Sequence, residues 1–331
     1  MKLNRILSML LVICLLAMSA ALAEAGFPVT VTDAAGREVV IEAAPEKLVS
    51  GYYISTSVLI AMGLKDKLVG IEAKAKGRPI YEMAAPELTE LPNVGTAKEF
   101  DMETCLSLEP DLVVLPLKLR DAADTLAEMG VNAVLVNPED MSLLKDTVAL
   151  LSAATGADGS ALLNFYNEKE AFLTELLADV ERPSVYLAGN SSYLNTAGEA
   201  MYQNTLIELG GGVNVAAEIE DNYWTEISYE QLLAWNPEVI VIAAEAEYSK
   251  DDLMNDEQLK DVAAVANGRV CALPNSIEAW DSPVPGALLG SLWMANALHE
   301  DAYGWEEFVS DAEAFYAEFY GIEIDESLLT K

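Results

Sequence analysis

The sequence predicts an α/β protein of two lobes, each with a mostly parallel sheet, joined by one long α-helix. Three observations predict this fold class. Short apolar runs alternate with helical patterns in both halves of the 331-residue chain, a long helical pattern separates the halves, and a motif of the first half recurs in the second. Apolar strands that alternate with helices are typical of parallel sheets covered on both faces.

The chain begins with the pattern of a secretory signal peptide. Lys2 and Arg5 precede an apolar run over residues 6–22, and small residues follow up to Ala25. A transmembrane anchor is the alternative, but the run is short and an A-x-A site follows it at once. We therefore expect residues 1–25 to be removed and the mature chain to be exported.

The N-terminal lobe is predicted over residues 26–156. Two helical patterns in it end at Gly63 and Gly130, as helices commonly end at glycine. The predicted strands are residues 48–50, 68–71, 112–115 and 132–136, and the predicted helices are residues 56–62 and 121–129.

One long helix is predicted between the lobes. Residues 158–180 have apolar side chains spaced three and four apart, with no proline and no glycine after Gly159. At 1.5 Å per residue such a helix is about 35 Å long. We assign residues 157–182 to this connecting helix and residues 183–331 to the C-terminal lobe, and expect the lobes to meet only through the helix and a cleft. A surface helix within one large sheet is the alternative.

An internal repeat favours two related lobes. Residues 101–115 and 228–242 both run from a helix N-cap residue through a glutamate, a proline and an acidic residue into an apolar strand. The N-cap residues are Asp101 and Ser228, and the glutamates of the first helical turn are Glu103 and Glu230.

Charge and composition exclude several functions. The 54 acidic and 19 basic residues give a formal net charge of -35, which repels the phosphate backbone of nucleic acids. The single histidine, His299, cannot supply a histidine-rich zinc site, and neither Gly-x-Ser-x-Gly nor Gly-x-x-x-x-Gly-Lys occurs. We expect no nucleic-acid partner, no resident cofactor or metal, and no enzymatic activity. For Cys105 and Cys271 we expect buried free thiols, with a disulfide as the alternative.

The order of several motifs resembles the solute-binding proteins of importers for iron-siderophores, haem and vitamin B12, the metal-chelate class of periplasmic binding protein. The motifs include VTDAAGREV at residues 31–39, PEKLVS at 45–50, LEPDLVV at 108–114, GGGVNVA at 210–216 and NGRV at 267–270. The resemblance covers nearly the whole mature chain. It implies a ligand cleft between two lobes held by a stiff helix, and a monomer located in the periplasm or at the cell surface.

The same resemblance implies a partner, the permease dimer of an ABC transporter. Glu103 and Glu230 match the glutamates by which the vitamin B12-binding protein is held to arginines of its permease. The alternative is that each carboxylate only complements the dipole of its helix.

Ligand-binding residues are expected in loops that follow strands, where open α/β sheets bind ligands. Aromatic and hydroxyl side chains in such loops suit a bulky chelate. For any one tyrosine, a surface or core role is the alternative. The candidates are Tyr52, Tyr53, Arg78, Lys98, Tyr193, Thr196, Trp224 and Trp280.

The ligand implied by the resemblance is a small-molecule metal chelate. The main candidate is an iron chelate of the siderophore type. Only Arg78, Lys98, Lys118 and Arg120 lie near suitable loops, so the cleft is less basic than one for strongly anionic siderophores. The alternative ligands are a corrinoid such as vitamin B12, haem held by a tyrosine, and ferric ion held by tyrosines. A chelatase-like enzyme of similar fold is the alternative of a different class, but such enzymes depend on histidine in the cleft.

Overall fold

The structure is a computed structural model that describes residues 26–221 and 223–329. The predicted signal peptide lies outside the described residues. The described chain contains two four-stranded parallel sheets, one in each lobe, which confirms the predicted fold class. Within the described residues, no helix has both the length and the apolar composition needed to cross a membrane.

The N-terminal lobe consists of a hairpin and a parallel sheet. Strands β1 (Val29–Thr32) and β2 (Glu38–Ile41) pair antiparallel. The parallel sheet has the order β4-β3-β5-β6, and every residue of its central strand β5 is buried, because helices cover both faces. Its strands are β3 (Leu48–Ser50), β4 (Leu68–Ile71), β5 (Leu112–Pro116) and β6 (Asn132–Val136). The helices of this lobe are α1 (Tyr53–Ala61), α2 (Pro79–Ala84), α3 (Met102–Ser107), α4 (Arg120–Glu128) and α5 (Met141–Thr155).

The connecting helix is shorter than predicted. Helix α6 (Ser160–Leu176) has 17 residues, about 25 Å, because the chain leaves the helical conformation at Leu177. Leu177 and Val180 still pack against the core, which explains why their apolar spacing continued the helical pattern. In the middle of α6 the hydroxyl of Tyr166 donates a hydrogen bond of 3.0 Å to the carbonyl oxygen of Pro285.

The C-terminal lobe repeats the topology of the first. Its parallel sheet has the order β12-β11-β7-β9, so in both lobes the first parallel strand lies between the second and the third. The strands are β7 (Ser184–Ala188), β8 (Asn195–Thr196), β9 (Val213–Asn214), β10 (Thr225–Glu226), β11 (Val239–Ile242) and β12 (Val270–Ala272), of which β8 and β10 form a separate antiparallel pair. The helices are α7 (Tyr202–Leu209), α8 (Tyr229–Trp235), α9 (Lys250–Met254), α10 (Ala263–Ala266), α11 (Ala287–Leu298) and α12 (Trp305–Tyr320).

The repeat seen in the sequence is also a repeat of conformation. Asp101 caps α3 by accepting a hydrogen bond of 2.9 Å from the backbone N–H of Thr104, and Ser228 caps α8 in the same way. Each of these helices is followed by a residue in the left-handed region, Glu109 with φ 51° and Asn236 with φ 46°.

The acidic residue after each proline ties its strand to the neighbouring one. Asp111 accepts hydrogen bonds from the backbone N–H groups of Glu46 and Lys47, just before β3. Glu238 accepts from the backbone N–H of Ser184 at the start of β7. The two lobes therefore use the same local interactions to set the register of their central strands.

The lobes meet over more of their surface than predicted. Helix α12 of the second half packs against α1 of the N-terminal lobe. Phe165 of α6 packs against Phe315 and Phe319 of α12, with ring centroids 4.9 and 5.8 Å apart. The prediction that only α6 and a cleft join the lobes is wrong, because α12 also packs against α1.

Candidate ligand-binding cleft between the lobes

The topology of the two sheets predicts where a ligand binds. In a sheet whose first strand lies between the second and third, the helices that follow the first and third strands lie on opposite faces. A crevice forms there at the carboxyl ends of those strands. In this protein those ends lie after β3 and β5 in one lobe and after β7 and β11 in the other.

Two cavities lie between the lobes among the described residues. The first, which we call the Arg78 chamber, has a volume of about 320 Å³. The second, which we call the Lys118 chamber, has a volume of about 520 Å³. Ser282 borders both chambers. The polar and aromatic residues that line the chambers include Tyr53, Arg78, Glu245, Asn275 and Glu278 in the first chamber, and Lys118, Asn137, Glu139, Gln203, Tyr223 and Asp281 in the second.

The Arg78 chamber is built around a cation–π pair. The guanidinium carbon of Arg78 lies 4.0 Å from the centroid of the Tyr53 ring. The Tyr52 ring meets the Tyr53 ring edge to face, with 5.3 Å between centroids. Ser282 of the C-terminal lobe lines the same chamber, so residues of both lobes meet at this pair. Burial raises the pKa of both tyrosines, which keeps the phenols protonated.

A buried carboxylate stands behind Arg78. Glu72 is 5% exposed and accepts hydrogen bonds from Thr56 Oγ1 at 2.6 Å and Tyr81 Oη at 2.9 Å. Its Oε1 lies 3.5 Å from Arg78 Nε. This contact is ionic only, since Nε has no hydrogen-bond partner among the described residues. Burial raises the pKa of Glu72.

The Lys118 chamber also has a contact that spans the lobes. Lys118 Nζ lies 5.8 Å from the centroid of the Tyr223 ring, which is 69% exposed. On the opposite wall Gln203 Nε2 donates a hydrogen bond of 2.8 Å to the Asp281 carbonyl. The Asp281 carboxylate accepts from the backbone N–H of Ala244 at 3.0 Å, and burial raises the pKa of Asp281 to about 6.

Three of the predicted ligand-binding residues come together at the cleft. Tyr53 and Arg78 line the Arg78 chamber, and Tyr52 lies beside them at the start of α1. Lys98 does not join them, because it is exposed in the turn of residues 96–99 and lines neither chamber.

The remaining four candidates do not line the cleft, and each has a structural role. The Trp280 side chain is 1% exposed, and its indole N–H donates to Tyr316 Oη at 2.9 Å. Thr196 is fully buried and donates to a backbone carbonyl of β7. Trp224 packs against Gly189, where an added Cβ would lie 2.6 Å from the ring. Tyr193 donates to Asp256 at 2.8 Å inside the C-terminal lobe. The structure therefore brings none of these four predicted ligand-binding side chains to either chamber.

Sequence reasoning missed several residues that do line the cleft. Asp281 and Ser282 directly follow Trp280, and Tyr223 directly precedes Trp224. The sequence pattern therefore indicates the correct loops, but within each loop it favours the largest aromatic residue. Glu139 lies in a loop that follows β6, but this loop has no aromatic or hydroxyl side chain to single it out, and Gln203 lies inside a helix.

The glutamates predicted to dock a permease are accessible. Glu103 lies in the first turn of α3 and Glu230 in the first turn of α8, and both side chains are exposed. Cys105 and Cys271 are both free thiols. Among the described residues, no group of three or more His, Cys, Asp or Glu side chains could hold a metal ion.

The repeated lobes and the cleft between them define the class as a two-lobed α/β binding protein. A model of the family described as periplasmic binding protein matches residues 48–277, and the chain belongs to this family. The resemblance seen in the sequence is thereby confirmed, and the chain is a solute-binding protein of the kind that serves ABC importers.

Individual relatives are distant but cover most of the chain. The chain is 25% identical over 321 residues to the molybdate-binding protein MolA of Haemophilus influenzae, covering 88% of this chain and 90% of the relative. It is 25% identical over 285 residues to a cobalamin-binding protein of Halobacterium salinarum, covering 82% of this chain and 74% of the relative.

Solved structures support the fold. A periplasmic solute-binding protein from Veillonella parvula superposes with a TM-score of 0.80 at 24% identity, covering 91% of this chain and 96% of that chain. Haemophilus influenzae MolA bound to molybdate superposes with a TM-score of 0.78 at 21% identity, covering 90% and 99% of the two chains. At these identities the similarity concerns the fold alone.

Proposed function

We propose that this protein captures an iron chelate of the siderophore type in the cleft between its lobes and delivers it to the permease dimer of an ABC importer. The mature chain, residues 26–331, acts outside the cytoplasmic membrane as a monomer and without catalysis. Its parts are a lobe over residues 26–156, a connecting segment over residues 157–182 and a lobe over residues 183–331. The observation that carries the proposal is the Arg78–Tyr53 pair at the wall of the inter-lobe cavity.

The pair suits the oxygen-rich, bulky surface of a ferric chelate. The Tyr53 ring offers apolar contact, and the guanidinium group of Arg78 can donate a charge-assisted hydrogen bond to a chelate oxygen. The two chambers have volumes of about 320 and 520 Å³, within the range of about 300–1,000 Å³ that is usual for small-molecule sites.

Two other ligands of the family fit the cleft less well. A bare oxoanion such as molybdate would leave most of this space unfilled and would face Glu139, Glu245 and Asp281. Haem held by a tyrosine needs a phenolate ligand, and burial opposes ionisation of both Tyr52 and Tyr53.

A corrinoid is the second candidate ligand. The observation that favours it is the 25% identity to a cobalamin-binding protein across 82% of this chain. A lightly charged, aromatic cleft is also compatible with a corrinoid.

We also propose that Glu103 and Glu230 dock the protein to the permease, one glutamate from each lobe. The two residues occupy equivalent positions of the repeat and both are exposed, so each can pair with a basic residue of one permease subunit.

The function is tested by titrating the mature protein, followed by intrinsic fluorescence, with a ferric trihydroxamate, a ferric tris-catecholate, cyanocobalamin, haemin and molybdate. We expect a ferric chelate to bind. Arg78→Met should weaken its binding by about tenfold or more, since a charge-assisted hydrogen bond contributes about 1.5–3 kcal/mol. Lys98→Met removes the same charge outside the chambers and should leave the affinity unchanged.

The other outcomes separate the alternatives. Binding of cyanocobalamin alone would favour the corrinoid and contradict the iron chelate. Binding of molybdate or haemin with no binding of a ferric chelate would also contradict the proposal. Equal effects of Arg78→Met and Lys98→Met would show that the Arg78 chamber is not the site.

A further inference from the structure

A residue that lines the Lys118 chamber has a buried polar atom without a hydrogen-bond partner among the described residues. Gln203 is 8% exposed and borders the chamber. Its Nε2 is engaged by the Asp281 carbonyl at 2.8 Å, which fixes the orientation of the amide and leaves Oε1 as its free end. Oε1 is buried and has no hydrogen-bond partner among the described residues. Buried polar atoms are nearly always hydrogen-bonded, so this atom indicates a donor that arrives with the ligand.

Carboxylates border the same chamber. The Asp281 side chain is 3% exposed, and the Glu139 side chain belongs to the opposite lobe. Because the pKa of Asp281 is about 6, this carboxyl is mostly ionised at neutral pH. Lys118 is the one basic residue among the described residues that line this chamber, and its ammonium group lies over the Tyr223 ring.

The Arg78 chamber has a different hydrogen-bonding character. Its unpartnered polar atom is a donor, the Nε–H of Arg78, whereas that of the Lys118 chamber is an acceptor. Ser282 joins the two chambers, so one ligand can reach both. A ligand bound across Ser282 would place its accepting oxygens toward Arg78 and a donating group toward Gln203.

We propose that the Lys118 chamber is an acceptor subsite, in which Gln203 Oε1, Asp281 and Glu139 bind a hydrogen-bond-donating group of the ligand, an ammonium or a primary amide. The subsite selects against ligands that carry a carboxylate at that end. This inference rests on the proposed function, because it describes one end of the same cleft.

The test compares three linear ferric trihydroxamates that differ only at one terminus, which is a free ammonium, its N-acetyl form or its N-succinyl form. Titrations at pH 7.5 should show the ammonium form binding about tenfold or more tightly than the succinyl form, with the acetyl form between them. Glu139→Gln and Asp281→Asn should each reduce the ratio of the affinity for the ammonium form to that for the succinyl form. Glu139 is exposed, so its replacement carries a small risk of misfolding. Glu128→Gln makes the same chemical change on the exposed face of α4 and should leave this affinity ratio unchanged.

The results distinguish this inference from the proposed function. Equal affinity for the three chelates, or tighter binding of the succinyl form, would overturn the acceptor subsite and leave iron-chelate capture standing. If the double variant Glu139→Gln, Asp281→Asn still preferred the ammonium form over the succinyl form as strongly as the wild type does, these two carboxylates would not be the groups that bind the ammonium. Binding of none of the three chelates would contradict the proposed function and the subsite with it.

Discussion

Arg78 Nε lies 3.5 Å from Glu72 Oε1 at the back of the Arg78 chamber, an ionic contact without a hydrogen bond. Thr56 of α1 and Tyr81 of α2 hold the carboxylate from behind. The carboxylate thus keeps Arg78 over the Tyr53 ring while its Nε–H stays unpartnered. Glu72 is therefore a positioning residue in the proposed site.

Glu72→Gln should weaken ferric-chelate binding without unfolding the protein. The amide keeps the shape of the side chain but removes the charge that holds Arg78, and the lost interactions amount to about 1–3 kcal/mol. Chelate titration and urea unfolding measure the two effects separately. Glu82→Gln, exposed on α2, is the matched control. If Glu72→Gln binds as the wild type does while Arg78→Met does not, Glu72 has no positioning role.

Glu278 should make the stability of the protein fall as the pH rises. Burial raises its pKa from 4.5 to about 7, although the hydroxyls of Tyr316 and Tyr320 donate to its carboxylate. The folded state therefore holds the proton more tightly than the unfolded state. Its contribution is fully present below pH 4.5 and is lost as the pH rises through about 7, a change on the order of 3 kcal/mol.

Urea unfolding of the wild type and of Glu278→Gln at pH 5 and pH 8 checks this sign. From pH 5 to pH 8 the free energy of unfolding of the wild type should fall relative to that of Glu278→Gln, because the glutamine side chain does not titrate. Glu313→Gln, exposed on α12, should follow the wild type. Parallel pH profiles for the wild type and Glu278→Gln would contradict the shifted pKa.

Trp280 should contribute to stability and not to binding. Trp280→Phe leaves the buried Tyr316 hydroxyl without its indole donor and should lower the free energy of unfolding by about 1–3 kcal/mol. Urea unfolding measures the loss, and chelate affinity should stay unchanged. Trp305→Phe, which is half-buried, should lower the stability less. If Trp280→Phe kept the stability of the wild type but bound the chelate more weakly, Trp280 would be a ligand-binding residue and the prediction would be wrong.

The strands and the repeat could be predicted because their signals are local. Buried strands such as β5 are continuous apolar runs, and the caps Asp101 and Ser228 act within one helical turn. The end of α6 could not be predicted, because Leu177 and Val180 are buried whether or not they are helical.

The cleft residues could be predicted only as loops. Within one loop, Trp280 is buried while Ser282 lines both chambers, and no local rule distinguishes the two orientations. They depend on contacts with α12, since Tyr316 binds the Trp280 indole. Large aromatic residues suit a ligand site and a core equally well, so the sequence pattern favoured the wrong neighbour.

Permease docking should depend on charge at equivalent positions of the two lobes. Glu103→Arg with Glu230→Arg places like charges against basic residues of the permease and should reduce uptake about tenfold or more, while chelate affinity stays unchanged. Uptake of the labelled ferric chelate by cells that carry the cognate importer measures the effect. Glu128→Arg with Glu313→Arg makes the same change of net charge at two other exposed positions and should transport normally. Normal uptake by the Glu103, Glu230 variant at physiological salt would remove these residues from docking, and an equal loss in both double variants would assign the effect to net charge.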